Sequence, residues 1–274
     1  MDRPAGALLL LWPTLWALWI AAAGTPPVHL LLVFVIGVFL TRSAGCAIND
    51  FADRDFDPHV KRTRTRPLAT GEAGPGDAFL LAGVLLALAF ALVLTTNRLA
   101  ILLAFVAIPL AAIYPFTKRY TYVPQFFLGI AFSWGIPMAF AAQTDSVPRV
   151  AWLLFLANIV WTMVYDTIYA MVDRDDDIRI GIKSTAILFG DADRVIIGIM
   201  QAMFIAIMAI IATMLHFPPD FYLVLLFIGL LFAYHQFLIR TRSREGCLHA
   251  FRSNNWIGAV MLAGLVWCLG NGAW

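Results

Sequence analysis

Long apolar runs broken by short polar stretches set the pattern of the chain. A helix needs about 20 mostly apolar residues to cross hydrocarbon. Runs of that kind fall at roughly 5–23, 28–48, 77–95, 98–115, 121–142, 150–172, 194–214, 219–239 and 254–272. The pattern predicts an all-α, polytopic membrane protein with nine transmembrane helices, residues 1–274 forming a single domain. Thr95-Thr96-Asn97-Arg98 and His216-Phe217-Pro218-Pro219-Asp220 read as tight hairpin turns. The first run carries Trp12, Pro13, Trp16 and Trp19 and is longer than a signal-peptide core, so it reads as a retained span.

Composition narrows the class. Hydrophobic residues make up 61% of the chain and charged residues only 13%, which excludes a soluble domain. Three cysteines, Cys46, Cys247 and Cys268, have no metal-ligand spacing and give no disulfide frame. There is no nucleic-acid-binding signature. With a cytosolic N-terminus, only Arg98 and Arg149 of the 19 Lys and Arg fall on the far side. That asymmetry sets the orientation by the positive-inside rule. It places the two longest polar stretches, about 49–76 and 173–193, in the cytosol.

Those two stretches carry the chemistry. Asn49-Asp50-Phe51-Ala52-Asp53-Arg54-Asp55-Phe56-Asp57 follows the second run, and Asp173-Arg174-Asp175-Asp176-Asp177 follows the sixth. On a continuing helix Asn49, Asp50, Asp53 and Asp57 would share one stripe. Asp173 and Asp177 repeat the spacing of Asp53 and Asp57, and Asp166 extends their face deeper into the membrane. Carboxylates beside lipid are costly and mark function. Hard oxygen ligands of this kind suit Mg²⁺ shared with substrate phosphates. A solvated interfacial loop would also be acidic, but matched spacing at matched positions favours a joint site. Asp55, Asp175 and Asp176 fall off the shared faces and read as plain solvated charges.

Cations follow each cluster: Arg54 and the run Lys61-Arg62-Thr63-Arg64-Thr65-Arg66 after the first, Arg179 and Lys183 after the second. Tyr114 and Lys118 lie four residues apart at the end of the fourth run, with Arg119 beside them. Most cytosolic Lys and Arg only set topology. Divalent metal with Lys and Arg is also the arrangement that stabilises a departing diphosphate. Arg54, Arg66, Lys118, Arg119, Arg179 and Lys183 are the diphosphate candidates.

These motifs resemble the UbiA intramembrane prenyltransferases. Asn49-Asp50-x-x-Asp53-x-x-x-Asp57 is similar to the first aspartate signature of that family, Asp173-x-x-x-Asp177 to the second, and Tyr114-x-x-x-Lys118 to its YxxxK. Leu9-Leu10-Leu11-Trp12-Pro13-Thr14-Leu15-Trp16-Ala17, Ala44-Gly45-Cys46, the segment Tyr165 to Asp177 and Gly181-Ile182-Lys183-Ser184-Thr185-Ala186 resemble its bacterial 4-hydroxybenzoate branch, which serves ubiquinone biosynthesis. The resemblance implies a nine-helix bundle around a central cavity, capped on the cytosolic side of the inner membrane and with a lateral opening to lipid. It implies Mg²⁺ held by Asn49, Asp50, Asp53, Asp57, Asp173 and Asp177, with polyprenyl diphosphate and 4-hydroxybenzoate as substrates, another aromatic acceptor being the alternative within the family. Asp173 or Asp166 would take the phenol proton and Tyr114 would face the allylic cation. Arg42 and Tyr165 would meet the aromatic substrate. Met1 stands directly before Asp2-Arg3-Pro4, so a longer cytosolic leader is expected upstream.

Two other classes compete. A cation-coupled transporter also buries carboxylates, but near the midplane and on broken helices; here only Asp166 has that depth. A CDP-alcohol phosphotransferase would need a D-G-x-x-A-R stretch that the chain lacks.

Overall fold

The computed structural model describes residues 5–55, 57 and 63–270, and all its regular structure is helical. Arg3, Lys61 and Arg62, counted above among the cytosolic cations, lie outside the described residues. The helices are α1 (Ala5–Ala21), α2 (Val28–Asp53), α3 (Pro67–Thr70), α4 (Pro75–Val93), α5 (Arg98–Tyr120), α6 (Pro124–Ser133), α7 (Gly135–Thr144), α8 (Arg149–Ile180), α9 (Thr185–Phe189), α10 (Asp193–Met214), α11 (Asp220–Leu238) and α12 (Arg244–Gly270).

Among the described residues, seven segments are long and apolar enough to cross a membrane. The chain is a multi-pass membrane protein. The other two expected spans fall on α1, a 17-residue helix, and α12, which opens on a polar turn. Both pack inside the same bundle: α1 lies against α12, α7 and α2.

Local sequence explains the ends and breaks. The expected span 121–142 is two helices, because Pro137 has no N–H for the Ser133 carbonyl and the helix resets at Trp134. Asn97 caps α5 by accepting from the Ala100 N–H at 3.0 Å. α8 ends on Gly181, whose φ of +75° only glycine adopts without strain, and Ile182 N–H then returns to the Asp177 carbonyl at 3.0 Å.

Two of the helices longer than the hydrocarbon is thick are the ones that carry the aspartate clusters. α2 has 26 residues and α8 has 32. At 1.5 Å per residue these are about 39 and 48 Å long, against about 30 Å of hydrocarbon. The excess is long enough to take each aspartate cluster beyond the hydrocarbon.

The core gathers Trp16, Trp161, Tyr165 and Phe204. Trp16 and Trp161 ring centroids lie 5.1 Å apart, and Phe204 lies 6.0 Å from Trp161. Each indole finds a partner, as buried Trp must. Trp16 Nε1 donates to the Gly258 carbonyl at 3.0 Å, and Trp161 Nε1 to Asn254 Oδ1 at 3.0 Å. Gly258 is required there, since a Cβ would come within 2.2 Å of Trp12.

Candidate active site

A cavity of about 690 Å³ runs through the bundle. Its polar end is lined by Asn49, Asp53, Asp57, Arg66, Lys118, Asp173, Asp177 and Lys183, so both aspartate clusters open onto one space. Asp166, Tyr114, Tyr165 and Arg42 line it deeper in.

The first cluster is not one helical stripe. α2 stops at Asp53, with Arg54 as its C-cap, and Asp57 lies beyond the helix. Asp57 is brought to the same cavity by its loop. Arg66 Nη1 stands 2.9 Å from Asp57 Oδ2 and 2.9 Å from Asp50 Oδ1, and Thr63 Oγ1 donates to the Asp57 carbonyl at 3.2 Å. One guanidinium nitrogen thus bridges two carboxylates. Burial pushes the Asp57 carboxyl above the ordinary range, and Arg66 pulls it back down.

Asp53, Asp57 and Asp173 are 4%, 4% and 8% exposed. Buried carboxylates need charged or polar partners. Lys118 Nζ lies 2.5 Å from Asp53 Oδ1, and Asn49 Nδ2 donates to Asp53 Oδ2 at 3.1 Å. Lys118 stands in the last turn of α5, where a cation also favours the helix dipole. Lys183 is fixed from the other side: its backbone N–H donates to the Lys118 carbonyl at 3.0 Å, and its Nζ to the Tyr120 carbonyl at 3.3 Å.

The structure separates the candidate cations. Arg66, Lys118 and Lys183 line the cavity; Arg54, Arg119 and Arg179 do not, nor does Asp50. Arg54 is exposed, stacks on Phe51 at 4.5 Å and pairs with Asp55 at 3.6 Å. Arg119 donates to the Ala52 carbonyl, tying α5 to the end of α2. Arg179 is exposed in the last turn of α8. Asp176 is not a plain solvated charge: it accepts from Arg244 Nη1 at 3.1 Å, linking α8 to α12. Arg42 sits at membrane depth with its guanidinium 5.6 Å from the Phe132 centroid.

Other lining residues escaped the sequence reading. Thr63 and Ser184 are buried at the polar end. Gln125 is an amide in an apolar run, a visible signal; its Oε1 accepts from the Thr185 N–H at 3.0 Å. Arg252 lines the cavity from α12.

The donor set fits a hard divalent cation. Five side chains with oxygen donors, Asn49, Asp53, Asp57, Asp173 and Asp177, line one space. Asp53 Oδ1 is buried, with the Lys118 ammonium against it. Among the described residues no three of His, Cys, Asp and Glu converge as a ready-made ligand set.

The sequence profile of the UbiA prenyltransferase family matches residues 10–266. The chain is 58% identical to a 4-hydroxybenzoate octaprenyltransferase of Enterobacter sp. (strain 638), over 96% of this chain and 91% of that one. It is 56% identical to the Aeromonas hydrophila protein of the same name, over 97% and 93%. Among solved structures, an apo UbiA homolog from Aeropyrum pernix K1 superposes with a TM-score of 0.84 at 23% identity, covering 97% of this chain and 99% of that one. A UbiA homolog from Archaeoglobus fulgidus bound to GPP and Mg²⁺ superposes at 0.72 and 20% identity, covering 97% of each. Motifs, bundle and full-length similarity agree, and the chain belongs to the UbiA prenyltransferase family.

Proposed function

We propose that this chain transfers a polyprenyl group from polyprenyl diphosphate to the ring carbon ortho to the phenol of 4-hydroxybenzoate. The observation that carries the reading is one cavity with two aspartate clusters and three cations at one end and an apolar chamber at the other. Relatives 55–58% identical over nearly the whole chain bear the name of that activity. The polar end faces the cytosol and the membrane is the bacterial inner membrane; the distribution of Lys and Arg supports this orientation.

Asn49, Asp53 and Asp57 with Asp173 and Asp177 would hold Mg²⁺ against the diphosphate. When bound, the metal supplies charge neutralisation for the leaving diphosphate. The chain's own cations add to it: Lys118, Lys183 and Arg66 line the same end and meet the charge that builds as the allylic C–O bond breaks.

The cation left on the prenyl carbon is attacked by the ring carbon ortho to the phenol, and a C–C bond forms. The proton on that ring carbon then passes to the released diphosphate and aromaticity returns. Asp173 or Asp166 takes the phenol proton, which raises ring nucleophilicity. Arg42 meets the aromatic carboxylate, with Tyr165 beside it. The Tyr114 ring faces the cation. Apolar walls keep water from the cation and suppress hydrolysis.

The test is direct. Purified protein in proteoliposomes, given octaprenyl diphosphate, radiolabelled 4-hydroxybenzoate and Mg²⁺, should form prenylated 4-hydroxybenzoate. EDTA should stop the reaction and added Mg²⁺ restore it. No product under these conditions, with the protein inserted and folded, would refute the reading.

A further inference from the structure

Between the two cavity-lining acids of the second cluster stand Arg174, Asp175 and Asp176, which the proposed reaction does not use. At 3.6 residues per turn, each step along α8 rotates by about 100°. Relative to the line midway between Asp173 and Asp177, Arg174 falls about 80° to one side, Asp176 about 80° to the other, and Asp175 opposite. Asp175 is exposed, as that position requires. The other two are anchored.

Arg174 Nη1 donates at 3.2 Å to Oδ2 of Asp193, the first residue of α10. Asp193 is fully buried and is gripped a second time by Arg242, whose Nε donates to Oδ2 and Nη2 to Oδ1, each at 2.9 Å. Arg242 lies in the turn between α11 and α12 with φ of +53°. A residue with a side chain keeps that left-handed backbone only where its surroundings hold it. On the other flank Asp176 accepts from Arg244 Nη1 at 3.1 Å. One short turn therefore reaches both flanks of α8, through Asp193 to Arg174 and directly to Asp176.

A small rotation of α8 would misplace both acids. A turn of about 20° moves a side-chain tip about 5 Å from the axis by roughly 2 Å. Mg²⁺ demands near-octahedral geometry with ligands at about 2.0–2.1 Å. The two anchors are unequal. Asp193 is wholly buried and its charge-assisted bonds are strong. The Arg244 side chain is 43% exposed, so its pair with Asp176 contributes less.

We propose that Arg174 and Asp176, held by Asp193 and the Arg242–Arg244 turn, are positioning residues that fix the rotation of α8, so that Asp173 and Asp177 meet the divalent metal together. They act through the helix that carries the two acids. This inference rests on the metal reading above. Its sign separates it from simple electrostatics. Arg174 is a cation beside the metal ligands, so by charge alone its removal would tighten metal binding. By position, its removal loosens it.

Arg174→Met is the informative variant, because Asp193 keeps the Arg242 fork and is not left a bare buried charge. Mn²⁺ binding can be followed by EPR on detergent-solubilised protein with geranyl thiolodiphosphate, whose C–S bond does not ionise, and with a protein-free blank. Arg174→Met should weaken Mn²⁺ binding about tenfold, as loss of a residue that orients metal ligands does. Arg174→Lys should restore most of it, since a single donor nitrogen makes the contact to Asp193. Excess Mg²⁺ should recover most of the turnover that Arg174→Met loses. Binding unchanged or tighter in Arg174→Met would overturn the proposal. If that variant does not fold, the other flank decides. Asp176→Arg should weaken Mn²⁺ binding, and adding Arg244→Asp should restore it by rebuilding the pair in reverse. A double variant as weak as the single one would overturn the proposal. No bound Mn²⁺ in the parent protein would strike at the proposed function, and at the positioning role with it.

Discussion

Lys118 Nζ and Asp53 Oδ1 stand 2.5 Å apart, a cation from the end of α5 set against the last residue of α2. The pair joins the YxxxK motif to the first aspartate cluster. The ammonium balances a buried carboxylate. Lys118→Met should lower turnover on the order of 100-fold, the cost of removing one charge-stabilising donor. Arg54→Ala should leave turnover within about twofold, because Arg54 points away from the cavity and its exposed pair with Asp55 contributes little. Steady-state rates of the two variants in proteoliposomes check the contrast.

Arg66 holds Asp50 and Asp57 through one nitrogen. Arg66→Ala leaves the buried Asp57 without its cation and frees the loop that brings it to the cavity. We expect prenyl transfer to fall by about two orders of magnitude. Arg66→Lys should recover part of it, because the charge returns while the guanidinium fork does not.

Arg42 lines the cavity from α2, beside Phe132. If it meets the aromatic carboxylate, Arg42→Ala should raise the KM for 4-hydroxybenzoate about tenfold or more, equivalent to about 1.4 kcal/mol. The KM for the prenyl diphosphate should stay unchanged. A rise in both would place Arg42 elsewhere in the reaction.

The α1–α12 seam is a packing claim with its own test. Gly258→Ala drives a methyl into Trp12 and should cost about 1–3 kcal/mol of stability. Trp16→Phe removes the donor to the Gly258 carbonyl, and membrane hydrogen bonds of this kind contribute about 1 kcal/mol. Thermal unfolding in detergent should rank Gly258→Ala below Trp16→Phe and both below the parent.

Much of this was legible beforehand, because hydrocarbon imposes a length and a composition on every span. Residues 28–48 and 150–172 had to be helices, and the acids after them had to lie at an interface. The sequence pattern did not say where helices stop. Asp57 looked like the next turn of α2, but the chain breaks at Arg54 and tertiary pairs with Arg66 and Thr63 return it to the site. Nor did spacing tell which cations turn inward: Arg54 is nearer in sequence to the acids than Lys118, yet α5 packing places Lys118 against Asp53. The α6–α7 break was readable from Pro137 in principle, and the partnership of Asp176 with Arg244 was not, since it depends on where α12 docks.

The account stands or falls on the two acidic clusters acting together. The most direct measurement is single-turnover prenyl transfer with saturating Mg²⁺ in parent, Asp53→Ala and Asp177→Ala proteins, each verified as folded in the membrane. We predict product from the parent alone, with each variant reduced by about 1,000-fold or more. Parent-like turnover in either variant would contradict the claim.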